Sequence, residues 1–175
     1  MRNVNIKSAV AYAVTVALAS GTFSLLPAGR AGAATHGDMQ ALGEAKNYLS
    51  TEAFSLGSLI AQLKFEGYST AEATFGASHA GANWNREAVL SARQYLGSQA
   101  FSLKGLISQL KFDKYTVGQA TFGAVHSGAN WNREAFLSAK EYLSTEHFSR
   151  SALIGQLEFG GFTPAQATYG VNKAY

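Results

Sequence analysis

The stretch Ala41–Glu87 recurs as Ala88–Glu134 and, in shorter form, as Ala135–Tyr175, so the sequence repeats every 47 residues. Laid over each other without gaps, the first two copies agree at 28 of 47 positions, which chance does not produce. Ala41, Tyr48, Phe54, Leu59, Gln62 and Gly76 return as Ala88, Tyr95, Phe101, Leu106, Gln109 and Gly123, and then as Ala135, Tyr142, Phe148, Leu153, Gln156 and Gly170. Whatever one copy builds must therefore be built three times. A unit of this size lies near the lower limit for a core of its own. No Gly/Ser-rich or Pro-rich linker separates the copies, so they are expected to lean on one another.

Each copy reads as three short helices. In the first, apolar residues at Ala41, Leu42, Ala45, Tyr48 and Leu49 follow the spacing of one helix face. Asp38 is the expected N-cap there. In the second and third copies the expected caps are Asn85 and Asn132. Trp84 and Trp131 would precede them and staple onto Val89 and Phe136. A second helix begins at Ser55, Ser102 and Ser149, each with Phe before it and Leu four residues inside. Its core face is expected to hold Leu56, Leu59, Ile60, Leu63 and, in the last turn, Phe65. Arg150 stands where the first copy has Leu56. A third helix begins at Ser69, Thr116 and Thr163, with Glu72, Gln119 and Gln166 completing capping boxes and Pro164 at the first helical position. Gly76, Gly123 and Gly170 either permit close packing or weaken that helix. The fold class is therefore all-α: three tandem repeats of about 47 residues, each three short helices containing a helix-turn-helix.

Charge separates the repeats from what precedes them. The chain carries 14 basic and 11 acidic residues, but Arg2, Lys7 and Arg30 lie in the first 33 residues, leaving 11 against 11. Residues 1–33 read as a secretory signal peptide, with a basic start, an apolar run from Ser8 to Leu26 and the small residues Ala31-Gly32-Ala33 before a cut. The organisation expected is thus 1–33 leader, 34–87 first repeat, 88–134 second and 135–175 third. The absence of Cys excludes disulfides, thiolate metal sites and Cys nucleophiles.

The helix-turn-helix invites a nucleic-acid reading, which would need a basic recognition helix. Ala71–Ala80 and Gly118–His126 contain no Lys or Arg. The four His residues have no helical ligand spacing, and His79 and His126 read as helix C-terminal residues favoured by the dipole. No paired carboxylates or Ser/His/Asp arrangement appears, so the expectation is no enzyme, no cofactor, no metal and no nucleic-acid partner. Gln62, Gln109 and Gln156 recur beside the core face of the second helix. They are either structural amides or partner contacts. Trp84 and Trp131 are placed either to seal the joints between copies or to meet a partner.

The residues Ala88, Ala92, Tyr95-Leu96, Phe101-Ser102, Leu106-Ile107, Gln109-Leu110, Tyr115-Thr116, Phe122-Gly123 and Gly128-Ala129-Asn130-Trp131-Asn132 resemble the Ltp-like helix-turn-helix repeat of host cell surface-exposed lipoproteins from Gram-positive bacteria and their phages. All three copies match. The resemblance implies a compact helical repeat displayed outside the membrane. For phage-encoded relatives it implies superinfection exclusion, in which a protein partner in the injection machinery is bound and DNA delivery is blocked. The lipid-attachment Cys of that family is missing here, so no lipid anchor is expected. The alternative reading is a cell-wall or polysaccharide-binding module.

Overall fold

The structure, a computed structural model, describes residues 33–175; the leader expected over residues 1–33 lies, but for its last residue, outside the described residues. Ala34–Tyr175 forms one compact unit. Among the described residues there are nine α-helices and no strand: α1 (His36–Thr51), α2 (Leu56–Phe65), α3 (Thr70–His79), α4 (Trp84–Ser98), α5 (Leu103–Phe112), α6 (Val117–Val125), α7 (Trp131–Thr145), α8 (Arg150–Phe159) and α9 (Pro164–Ala174). They pack in threes, α1–α3, α4–α6 and α7–α9, with the first and third helix of each trio making its widest contact. The packing unit therefore changes at Gly81 and Gly128, both in the left-handed region (φ 78° and 84°), and α4 and α7 each cross a sequence-repeat boundary.

Helices of ten residues are marginal alone, and local bonds at their ends help to hold them. Ser55, Ser102 and Ser149 cap the second helices, and Ser69, Thr116 and Thr163 form capping boxes on the third. Three expected starts are corrected. Asn83 and Asn130, not Asn85 and Asn132, cap α4 and α7, through Oδ1 atoms accepting from Arg86 and Arg133 amides at 3.1 Å. Once the chain turns at Gly81 or Gly128, the first Asn reached ends the search for a cap. Trp84 and Trp131 consequently occupy the first helical position and not the place before the cap that a staple to Val89 or Phe136 requires. In α1, Thr35 is the cap and Asp38 is the third helical residue, reaching back to the Thr35 amide at 2.8 Å.

The core of each unit is built from small residues and two leucines. Ala45, Leu59, Leu63, Ala73 and Ala77 are fully buried in the first, and their counterparts repeat in the others. Gly76, Gly123 and Gly170 permit the close approach. A Cβ there would come within 2.5, 2.6 and 2.5 Å of backbone atoms of Ala41, Ala88 and Ala135. The helix pair thus packs backbone to backbone across each glycine. The aromatic in the turn before the third helix also enters the core, with Tyr115 and Phe162 buried.

Phe65 departs from expectation. It is 81 % exposed, as is Phe112, and Phe159 is 89 % exposed. At 100° per residue Phe65 stands about 200° from Leu63, on the opposite side of the helix from the buried stripe. The chain has already turned, and Tyr68 takes the inward place.

The same joint links the first unit to the second and the second to the third. Ser55 Oγ donates to the Asp113 carbonyl at 2.5 Å, and Ser102 Oγ donates to the Gly160 carbonyl at 2.6 Å. Each hydroxyl caps its own helix and also binds the far end of the next unit's second helix. The C-terminus of α5 therefore meets the N-terminus of α2, and that of α8 meets α5. Opposite dipole ends face each other at both joints. The three helices run head to tail, each about 15 Å long.

Trp84 packs against the first unit's core and Trp131 against the second's, so the indoles do seal the joints. Glu87 and Glu134 are buried at the same joints, beside the backbone of Phe54 and Phe101.

Both ends of the row differ from the joints. In the first unit, Gly37 and Gln40 stand where Trp84 and Glu87 stand in the second. In the third, Ser149 Oγ meets Ser151 Oγ at 3.3 Å. Arg150 replaces the leucine, stacks over Tyr175 at 4.8 Å and donates to Asn172 at 3.0 Å. The Tyr175 hydroxyl donates to the Phe148 carbonyl, covering the end of the unit.

Candidate binding surface

Gln62, Gln109 and Gln156 are drawn into a side-chain cluster that recurs in each unit. Their Nε2 atoms donate to the hydroxyls of Tyr48, Tyr95 and Tyr142 at 3.2, 3.2 and 3.1 Å. In the first two units an acid closes the triangle. The Tyr95 hydroxyl donates to Asp113 Oδ2 at 2.7 Å, and Tyr48 donates to Glu66. In the third unit Gly160 occupies the acid's position. Burial raises the Asp113 and Glu66 carboxyls above their ordinary values, while the Tyr95 and Gln109 bonds pull Asp113 back down. Burial and the nearby carboxylate push the Tyr95 hydroxyl up to about 12. The tyrosine rings also meet Phe54, Phe101 and Phe148 edge to face at 5.5 to 5.8 Å. Through their Nε2 atoms these amides tie the first helix to the second.

Trp84 and Trp131 are half-buried at the joints, each on the core of the preceding unit, against which Tyr48 and Tyr95 of the Gln clusters also pack. Beside the first joint a shallow groove of about 450 Å³ is lined by Leu49, Glu52, Leu90 and Arg93, among others. Its cation is already committed, since Arg93 Nε donates to the Ser127 carbonyl at 3.1 Å. His79 and His126 stack on Phe75 and Phe122, at 4.1 and 4.0 Å, and approach those residues' own carbonyls at 2.9 Å. They finish their helices, and no cluster of metal-ligating side chains occurs among the described residues.

What sequence reasoning missed is Phe65, Phe112 and Phe159. Phe112 has a neighbouring unit at its joint and Phe65 has none, yet their exposure is equal. The joint therefore does not use them. Exposed large apolar side chains at one position in each unit are a repeated surface feature, unlike the scattered ones normal on any protein. A helical-wheel count on α2 would have found them: Phe65 lies off the Leu59–Leu63 stripe.

Three copies of a three-helix unit, joined end to end by one repeated contact, define a helical repeat protein of the helix-turn-helix kind. The chain belongs to the family described as host cell surface-exposed lipoprotein of the Ltp type, which it matches three times, over residues 38–79, 83–126 and 130–173. Among solved structures it is similar to Ltp, a superinfection exclusion protein from the Streptococcus thermophilus temperate phage TP-J34. The sequences are 29% identical, the match covers 53% of this chain and 96% of that one, and the TM-score is 0.50. No curated protein matches.

Proposed function

We propose that this protein is exported by its leader, stands at the cell surface as a row of three helical units, and excludes superinfecting phage by binding a protein of the injection machinery. The observation that supports this most is the similarity to the phage exclusion protein, which spans nearly all of that protein's structure. The row acts by binding alone, with no catalytic step, cofactor, metal or nucleic acid. Its repeated, rigidly spaced surfaces suit a partner that makes the same contact more than once, where linked weak contacts multiply into tight binding. A wall-polysaccharide module would need free amides beside its aromatic rings, whereas the Nε2 atoms of the repeated Gln side chains here donate to tyrosine hydroxyls.

The test is expression in a phage-sensitive host followed by challenge. Phage should still adsorb, while delivery of phage DNA and plaque number fall. Unchanged DNA delivery with the protein present at the surface defeats the reading.

A further inference from the structure

We infer that the outward faces of α2, α5 and α8 form a membrane-docking surface that lies on an anionic bilayer. The solvent side of α5 is Lys104, Ser108, Lys111 and Phe112, at the i, i+4, i+7 and i+8 positions of one helix face, and all four are exposed. The corresponding residues on α2 are the exposed Lys64 and Phe65, with Gly57 and Ala61 half-buried and Gly57 against Lys114, and on α8 the exposed Ser151, Gly155, Glu158 and Phe159. On each helix a ring stands at the edge of a face made mostly of small or cationic residues. The three helices are linked end to end through the Ser55–Asp113 and Ser102–Gly160 bonds, and one exposed ring stands at the last residue of each.

Two observations select a lipid surface. The first is charge: these faces carry three lysines against one acid, Glu158. The carboxylates at the C-caps of α2 and α5, Glu66 and Asp113, accept from tyrosine hydroxyls. The second is shape. The rings project from faces of small residues, and the groove found in the molecule lies elsewhere, against α1 and α4. Aromatic rings flanked by lysines are the chemistry of an interfacial contact, in which rings enter the headgroup boundary and lysines meet anionic lipid. The chain has no Cys to carry a lipid, and among the described residues no helix is long and apolar enough to cross a membrane. The three rings supply a non-covalent hold, each weak and effective only together.

The test uses the compact unit Ala34–Tyr175 in co-sedimentation with two kinds of vesicle. One is phosphatidylcholine alone and the other is equal parts phosphatidylcholine and phosphatidylglycerol. The protein should pellet with the anionic vesicles and stay in solution with the neutral ones. The triple variant F65S/F112S/F159S should keep its circular dichroism and melting temperature, because the rings touch no core, and should bind roughly tenfold or more weakly. The variant K64Q/K104Q/K111Q should lose the preference for phosphatidylglycerol. A wild-type protein that ignores both vesicles, or a folded triple Phe variant that binds as the wild type does, overturns the inference. Phage exclusion that survives in a protein unable to bind vesicles also overturns it as a working surface, while leaving the exclusion reading intact.

Discussion

Gly123 shows at a single residue how packing outweighs propensity. In an isolated helix Ala is preferred over Gly by about 1 kcal/mol. At this position a Cβ would meet the Ala88 backbone at 2.6 Å, and the backbone cannot yield as a flexible side chain would. Gly123→Ala should therefore destabilise the protein by roughly 1–3 kcal/mol in urea unfolding. Gly43→Ala, in α1 with nothing within 4 Å of the new Cβ, should stabilise it by roughly 0.5–1 kcal/mol. Equal effects at the two sites would dissociate Gly123 from helix packing. In the sequence both roles stood open for the repeated glycines. Only the distance to the facing backbone decides between them, and no local pattern contains that distance.

Among the elements, the second helices do two tasks with one hydroxyl. Ser102 Oγ accepts from the Gly105 amide at 2.9 Å and donates to the Gly160 carbonyl at 2.6 Å. Ser102→Asp separates these tasks, since a carboxylate caps a helix well but has no proton to give the carbonyl. We expect a loss on the order of 1 kcal/mol. Ser149→Asp, in the unit with no onward joint, should be close to neutral. A thermal melt in which both variants match the wild type would show that the joint bond contributes nothing. The capping half of this arrangement was legible beforehand from Phe-Ser with Leu four residues on. The joining half was not, because its acceptor lies 58 residues away and is a backbone carbonyl, which has no residue identity to read. The starts of α4 and α7 are ambiguous in the sequence for a related reason: two Asn residues flank each Trp, and the glycine turn selects the first. Apolar character alone places Phe65 in the core, and its angle from Leu63 turns it outward.

At the scale of the whole molecule, stability passes through two joints, and each contains a carboxylate that is mostly out of water. Glu87 is 9 % exposed and Glu134 is 6 % exposed, and each has one buried oxygen without a partner. Desolvation raises both above the ordinary 4.5, against smaller lowering contributions from Arg86 and Arg133 and from the Phe54 and Phe101 amides. A raised folded-state value means that the folded form holds the proton more tightly than the unfolded chain does. The resulting stabilisation is fully present below about 4.5 and is lost as pH rises through the folded-state values. Unfolding free energies measured across that range for the wild type and for E87Q/E134Q should therefore converge or diverge with pH. The wild type should lose ground to the variant, which has no proton to release, as pH rises towards neutrality. Parallel curves would place these carboxylates outside the energetics of the joint.

The middle unit alone carries both halves of the joint, since its Trp84, Glu87 and Asp113 face the first unit and its Phe101 and Ser102 face the third. The outer two are each finished on one side, by Gly37 and Gln40 at the start and by Arg150 and Tyr175 at the finish. In-frame duplication of the middle stretch thus yields a longer rod whose new member fits both neighbours, whereas copying either outer member inserts a blunt stop. Length in such proteins can therefore change by whole units during descent without any new contact having to be invented.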